Sequence, residues 1–407
     1  MRPCVAACLL GCVRGWIAVP EPEAGGGWDL SRGRLPAGAG AAEAYSVGMA
    51  HLRCRQASCG AKSKSLSIGR SKTGLFASMF QLMARKFQCA LHPTKYCVAF
   101  NQDASPAADG PVVIDGHFKW YTENAVCKAR RDAVPLDCHF EPMALGGAEC
   151  ERGAAPAADA CGALHDPGVE FRGTNWNSAW WWGVVQAYVS RPNNLTKEAV
   201  SALEQTWGVS ADFRPDVALH VRVGGKLERP PSVTPQLYLD EAWAYVAAAR
   251  AKSPQPCTRR AHIFVATDSL EVLPAVHAWA DAHAADVSVH VQEDTATQLF
   301  AKGSHETHPL NGTDQHRAAV EIITDMHFLS RATVIFGMYC SQIARAAANR
   351  GYAAGLTLDA VALDRDASDR KMETTTALNK FMLTADAEGW RAKSDPPRET
   401  PPGFACH

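Results

Sequence analysis

Three basic side chains follow a short apolar run near the middle of the chain. His220, Arg222 and Lys226 lie within residues 217–226, whose apolar start is typical of a buried strand. Ligands of an open α/β sheet bind outside the carboxyl ends of its strands, so these cations predict an anion site. Arg222 can hold two phosphate oxygens, and the glycines at 224 and 225 let an anion approach the backbone. Taken alone, the segment is equally compatible with an ordinary charged turn.

Further elements along the chain favour the anion site. Residues 262–268 read as a second strand that ends in Asp268, and 318–331 follow helical spacing with Asp325 on a flanking face. Residues 332–337 read as another strand, after which Ser341 opens a helix. Strands that alternate with helices predict an α/β fold with a parallel sheet of the Rossmann type.

These motifs, in this order, resemble those of the α1,6-fucosyltransferases of glycosyltransferase family 23. The resemblance runs from residue 54 to residue 351 and is most specific near its end. The similar segments are Gly74–Gln81, the tryptophan-rich Ser178–Gly183 with Tyr188–Pro192, His220-Val-Arg222 with Lys226, Ala266-Thr-Asp268, Asp325–Ser330 and Ser341-Gln342.

The resemblance implies a GT-B-like pair of Rossmann-like domains, of which the C-terminal one binds a nucleotide sugar. It implies inverting transfer of fucose from GDP-fucose to an N-glycan core or a related oligosaccharide, without a metal or cofactor. The implied donor-binding residues are His220, Arg222, Asp268, Asp325, Ser341 and Gln342. On this reading Asp325 accepts hydrogen bonds from guanine, while Arg222, Ser341 and the amides of its helix bind the diphosphate.

The implied catalytic residues are Arg222, Lys226 and Glu228. Lys226 keeps its family position and supports the departing diphosphate. Glu228 is a candidate base for the acceptor hydroxyl, although it follows Lys226 at a shorter spacing than in the family, and a loop residue paired with Arg229 is the alternative.

The chain departs from the family pattern at three positions. Val223 stands where the family has a second arginine, and Gly224-Gly225 replaces Thr-Asp. Losing one charge-assisted hydrogen bond to phosphate costs ~1.5–3 kcal/mol. Two interpretations therefore stay open, an active fucosyltransferase and a relative that binds a nucleotide sugar or glycan without turnover. A dinucleotide enzyme is disfavoured because no Gly-x-Gly-x-x-Gly follows a strand.

The length of 407 residues predicts two to three domains. Together with the resemblance, it implies a signal or weak anchor at 1–20, a stem at 21–53, an N-terminal α/β domain with acceptor loops at 54–215, a donor domain at 216–385 and a disordered tail at 386–407. An incorrectly assigned start is an alternative for the first segment. The 41 basic and 42 acidic residues nearly cancel, which does not favour a nucleic-acid partner. The expected partner is a glycan or glycoprotein acceptor.

Fourteen cysteines favour an oxidising compartment, which for this family is the Golgi lumen. Eight of them lie between Cys54 and Cys161 without paired Cys-x-x-Cys spacing, so disulfides are preferred to a metal site. A second metal hypothesis arises from His305, His308 and His316. Pro309 and Gly312 are expected to interrupt any helix there, and a mobile loop over the donor crevice is the preferred interpretation.

Overall fold

The computed structural model describes residues 138–141, 178–222, 233–251, 259–293, 312–339, 341–357 and 359–364, with short pieces at 45–46, 48–49, 52, 64–65, 96–97 and 391–392. Residues 223–232, which include Val223, Lys226 and Glu228, fall outside this description. Most of the predicted N-terminal domain does as well. The second Rossmann-like domain of the expected pair therefore stays a prediction.

The described chain is organised around one parallel sheet. A separate parallel pair is formed by β1 (Lys64–Ser65) and β2 (Tyr96–Cys97). The six strands of the large sheet are β3 (Val217–Val221), β4 (Ala261–Thr267), β5 (Val287–Val291), β6 (Val334–Gly337), β7 (Asp359–Ala362) and β8 (Arg391–Ala392). Their order is β5-β4-β3-β6-β7-β8 and every neighbouring pair is parallel. Counted from β3 this is the Rossmann order 3-2-1-4-5-6, which confirms the predicted α/β fold.

In the part of the chain that the structure describes, six helices accompany these strands. They are α1 (Ser178–Val189), α2 (Asn194–Thr206), α3 (Pro235–Ala251), α4 (Leu273–Ala282), α5 (Gly312–Leu329) and α6 (Gln342–Ala353), with a 3₁₀ turn at Leu270–Val272. The odd-numbered residues of β3 pack with α3 and α4 in one hydrophobic core. The even-numbered residues of β3 face the opposite side of the sheet, where α5 contacts β3 and β4.

Both faces of the sheet are covered, and the sequence shows why. All five residues of β3 and all four of β6 are buried. Parallel strands joined by helical crossovers are enclosed on both faces, so they are nearly continuous apolar runs rather than alternating ones. The runs at 217–221 and 334–337 fit that pattern.

Elements from outside the predicted domain at 216–385 pack against it, and the domain boundaries themselves stay predictions. Residues up to 215 were expected in the N-terminal domain, but α1 packs along α6, and α2 packs on α5. The Trp207 ring, which follows α2, lies 4.9 Å from the ring of Phe328. At the other end, β8 pairs with β7 although the tail was expected to be disordered from residue 386. The apolar faces of α5 and α6 have to be buried against other elements. Helices α1 and α2 cover them, and β8 extends the edge of the sheet.

The contact between α1 and α6 depends on a glycine. A Cβ atom added at Gly183 would overlap the backbone carbonyl of Asn349 on α6. The two helices can therefore approach this closely only because residue 183 has no side chain. The predicted tryptophan-rich segment forms the first half of α1.

Among the helices that the structure describes, none combines the length and the apolarity that a bilayer span requires. The anchor predicted at 1–20 lies outside the described residues.

Candidate functional site

The topology creates a crevice between β3 and β6. From β3 the chain proceeds outward through β4 to β5, and from β6 it proceeds outward in the opposite direction to β7 and β8. The two neighbouring strands therefore feed connections that diverge at their carboxyl ends, which is the switch point where α/β sheets bind ligands. The end of β3 carries His220 and Arg222, and the end of β6 leads to Ser341 and α6.

Arg222 and Asp268, two predicted donor-binding residues, are neighbours in the structure. Arg222 follows β3 and Asp268 follows the adjacent β4, and Nε of Arg222 lies 4.0 Å from Oδ2 of Asp268. The side chains retain 28% and 34% of their exposed surface, respectively. An ion pair this exposed is weak, so an incoming anion can compete with Asp268 for the guanidinium.

His220 is a buried and neutral side chain at the same edge. Only 6% of its surface is exposed. Burial, with a smaller contribution from the charge of Arg222, lowers the pKa of His220 to about 3. Its Nδ1 atom is buried and has no hydrogen-bond partner among the described residues. A neutral imidazole with an unused nitrogen fits a site that hydrogen-bonds a ligand, because buried polar atoms are ordinarily paired.

Asp325 lies on α5 in a polar contact that the sequence did not reveal. The side-chain amide of Gln292 donates from Nε2 to Oδ1 of Asp325 at 2.7 Å. Burial raises the pKa of Asp325 well above its ordinary value, the nearby Glu321 carboxylate raises it further, and the Gln292 hydrogen bond opposes both. Gln292 was missed because a glutamine after a strand carries no motif of its own.

Strand register brings His220 and Gln292 onto one row across the sheet. His220 is opposite Ala266 on β4, and Val265 of β4 is opposite Val291 of β5, so Gln292 is level with Ala266. Partners in parallel strands point to the same face, here the face covered by α5. Neighbouring strands lie roughly 4.8 Å apart, so His220 and Gln292 are separated by about 10 Å across β4.

The N-terminus of α6 forms the other wall of the crevice. Ser341 is the N-cap residue, and its hydroxyl accepts the N–H of Ala344 at 3.5 Å. The preceding turn is held by the N–H of Tyr339, which donates to Oδ1 of Asp364 at 2.7 Å. Ser341 is fully buried and Gln342 is half-buried. Helix N-termini in general attract anions through the backbone amides of their first turn. The Ser341 oxygen itself is used in the cap.

Several predicted site residues cannot be located relative to this crevice. Lys226 and Glu228 lie outside the described residues, as do Val223 and the Gly224-Gly225 pair. Their roles stay predictions.

The interpretation of His316 as part of a mobile loop is wrong. Gly312 begins α5, and His316 lies inside that helix with its ring stacked on His139 at 5.1 Å. Glycine is tolerated at the first position of a helix, where few backbone hydrogen bonds depend on it. His305 and His308 lie outside the described residues.

A three-residue cluster that includes His316 has the composition of a metal site but lacks a free thiolate. Ligand atoms of Cys138, His139 and His316 lie within 4.8 Å of one another. Cys138 is disulfide-bonded, so its sulfur is not available as a thiolate ligand. Cys138 is one of the eight cysteines for which disulfides were predicted; the others and their pairing stay predictions.

The described chain is thus a Rossmann-ordered α/β domain with a cationic crevice at its switch point. No family model and no curated protein matches the sequence. Solved structures that match include the NodZ α1,6-fucosyltransferase soaked with GDP-fucose, at 15% identity and a TM-score of 0.38, covering 74% of this chain and 96% of that one. The fucosyltransferase NodZ from Bradyrhizobium matches at 15% identity and a TM-score of 0.37, covering 75% and 97%.

A NodZ α1,6-fucosyltransferase co-crystallised with GDP matches at 18% identity and a TM-score of 0.27. That alignment covers 45% of this chain and spans 48% of the other.

Proposed function

We propose that the protein is an inverting, metal-independent fucosyltransferase that uses GDP-fucose. The observation that carries the proposal is the position of His220 and Arg222 at the carboxyl end of β3, across the switch point from the N-terminus of α6. Two family-like positions support it, because Asp325 contacts Gln292 at the carboxyl end of β5 and Ser341 caps α6 at the switch point.

The positions of the charged groups give the donor a direction. Arg222 and the first turn of α6 adjoin the switch point. The guanidinium of Arg222 and the backbone amides of that turn bind the diphosphate there. Asp325 lies on the β5 side, in contact with Gln292. A carboxylate accepts two hydrogen bonds from the adjacent N1 and N2 donors of guanine. The nucleotide therefore runs from Asp325 across the end of β4 to Arg222, and Asp268 orients Arg222.

The proposed reaction uses two side chains of the segment 223–232. Glu228 takes the proton of the acceptor hydroxyl, whose oxygen bonds to C1 of fucose from the side opposite GDP. The bond between C1 and the β-phosphate oxygen breaks, and its electron pair leaves with GDP. Arg222 and Lys226 stabilise the charge that develops on the diphosphate. The proposed acceptor is an N-glycan core or a related oligosaccharide, in the lumen of the Golgi or another secretory compartment.

An assay of GDP release tests the reaction. Purified protein is incubated with GDP-fucose, a chelator and a panel of oligosaccharides, and acceptor-dependent GDP release is expected. Glu228→Gln should reduce release at least a hundredfold, by roughly the contribution of a general base, with GDP affinity kept. Glu271→Gln, a change of an exposed glutamate next to β4, is the matched control and should be fully active. Full activity of Glu228→Gln would remove Glu228 from the mechanism.

A relative that binds the donor without turnover is the second candidate, and Val223 is the residue that favours it. Installing the missing cation with Val223→Arg should strengthen GDP binding by about tenfold or more if the crevice holds a diphosphate. GDP binding with no acceptor-dependent release before or after this change would support the second candidate over the first.

A further inference from the structure

Gln292 is the only described side chain seen to hydrogen-bond the carboxylate of Asp325. It approaches from the end of β5, whereas Asp325 belongs to α5, so the contact crosses between two elements. The same amide nitrogen lies 3.4 Å from the carbonyl oxygen of Glu321, one turn earlier on α5. Gln292 is itself buried, with 8% of its surface exposed. Its amide group is thus held against one side of α5.

We infer that Gln292 is a positioning residue for guanine recognition, which orients the Asp325 carboxylate by donating to one lone pair of Oδ1 and leaves Oδ2 and the second lone pair of Oδ1 for the base. This inference rests on the proposed function. A carboxylate rotates about its χ2 bond unless a neighbour restrains it, because terminal sp³–sp² torsions are broad. A single fixed donor on Oδ1 selects one rotation, and recognition by paired hydrogen bonds depends on such orientation.

Charge gives the contact a second role. Glu321 carries a carboxylate one helical turn from Asp325 and raises the pKa of Asp325, as does burial. The Gln292 hydrogen bond favours the ionised form that can accept from guanine. Arg317 donates to Glu321 at 3.0 Å, so the nearest cation on α5 is occupied by Glu321 rather than by Asp325. The uncharged amide stabilises the carboxylate without neutralising it.

The row of residues across the sheet locates the base between two polar groups. Gln292 and His220 lie at the same level on the face of α5, with the small Ala266 between them on β4. His220 presents a neutral ring whose Nδ1 lacks a partner among the described residues. Guanine offers one acceptor edge and one donor edge, so a site with polar groups on opposite sides suits it better than it suits an apolar ligand.

Affinities for GDP and IDP test the role of Gln292, since IDP lacks only the N2 amino group. Wild-type protein is expected to bind GDP more tightly than IDP. Gln292→Met keeps the volume but removes the donor, and should reduce GDP affinity by roughly tenfold while changing IDP affinity less. Gln292→Glu, which sets a second carboxylate against Asp325, should reduce the GDP preference at neutral pH in the same way.

Gln236→Met is the matched control. Gln236 makes a chemically identical bond from its amide to Oδ1 of Asp240 at 2.8 Å, but on the exposed surface of α3. The Gln236→Met variant should bind GDP and IDP with the wild-type affinities. Equal losses of GDP and IDP affinity in both Gln292 variants, or no loss, would overturn the positioning role alone. Wild-type protein that binds neither nucleotide would overturn the proposed function and the inference with it.

Discussion

The guanidinium of Arg222 lies 4.0 Å from the carboxylate of Asp268, and the two residues follow adjacent strands at the carboxyl edge of the sheet. Because the pair is partly exposed, its own contribution to stability is small. Asp268 holds the Arg222 guanidinium beside the switch point. On the proposed function, a diphosphate replaces the Asp268 carboxylate as the partner of that guanidinium.

Replacement of Arg222 tests whether that cation binds phosphate. Arg222→Leu should weaken GDP binding by roughly 10- to 100-fold, because a charge-assisted hydrogen bond is lost. Guanosine, which has no phosphate, should bind the variant and the wild type equally. Titration calorimetry measures both. Arg260→Leu is the control, because Arg260 is exposed next to the opposite, amino end of β4. An equal loss of guanosine affinity in Arg222→Leu would contradict a contact between Arg222 and the phosphates.

The Asp325 carboxylate should lower the stability of the fold at neutral pH while it contributes to guanine binding. Its pKa is raised well above the ordinary value of 3.8, so the ionised form is disfavoured in the folded protein. Stability is therefore lost as pH rises through the folded pKa, and Asp325→Asn should remove this loss. The variant should unfold at a higher temperature than the wild type at neutral pH, by roughly 2–4 °C for each kcal/mol, and the difference should shrink near pH 4.

The same variant should bind GDP about tenfold or more weakly, because the carboxamide offers one acceptor oxygen instead of two. Scanning calorimetry at several pH values and nucleotide titration measure the two effects. A less stable variant with unchanged GDP affinity would contradict both the buried charge and the guanine contact.

A histidine pair should govern the acid sensitivity of the fold. Nδ1 of His262 lies 3.0 Å from Nε2 of His290, inside a cluster with the rings of Phe213 and Trp207. Burial, and secondarily His262, lowers the pKa of His290 to about 4, and burial also lowers the pKa of His262. The unfolded chain binds more protons below the ordinary value of 6.5, so stability is lost as pH falls from about 6.5 towards 4.

His290→Gln keeps a hydrogen-bonding group that does not titrate. It should flatten the acid limb of the stability curve by on the order of 2–3 kcal/mol between neutral pH and pH 4. Urea unfolding at each pH measures the slope. His277→Gln, at an exposed histidine on α4, is the control and should leave the slope unchanged. A slope unaffected by His290→Gln would mean that the pair does not titrate in this range.

Gly183 should be indispensable for seating α1 on α6. Gly183→Ala introduces a Cβ atom that overlaps the backbone of Asn349, and a backbone cannot yield as a flexible side chain does. The expected cost is about 1–3 kcal/mol or more, measured by urea unfolding. Gly208→Ala is the comparison, because its added Cβ meets open space and only the positive φ of 65° opposes it. An equal or smaller effect at Gly183 would contradict the close crossing.

The central part of the fold was predictable because its signals are local. Apolar runs at 217–221 and 334–337 are buried parallel strands, and Ser341 is a helix N-cap whose side chain bonds its own first turn. Each of these depends on neighbouring residues in the chain, which is what sequence patterns record. The predicted alternation of strands and helices therefore agrees with the parallel sheet, whereas the strand order that creates the switch point came only from the structure.

The missed features depend on contacts between distant segments. Gln292 meets Asp325 across 33 residues, and Arg191 meets Glu141 across 50. The packing of α1 on α6, the packing of α2 on α5 and the pairing of β8 with β7 also join distant segments. No local pattern distinguishes such a glutamine or helix from an exposed one, because its partner is decided by the fold.

Titration calorimetry of the protein with GDP and GDP-fucose, in the presence of a chelator, tests the proposed donor site most directly. Both nucleotides should bind without metal, UDP should bind far more weakly, and Arg222→Leu should weaken both complexes. A folded protein that binds neither nucleotide, or that binds GDP and UDP equally, would contradict a guanine-specific donor site at the switch point.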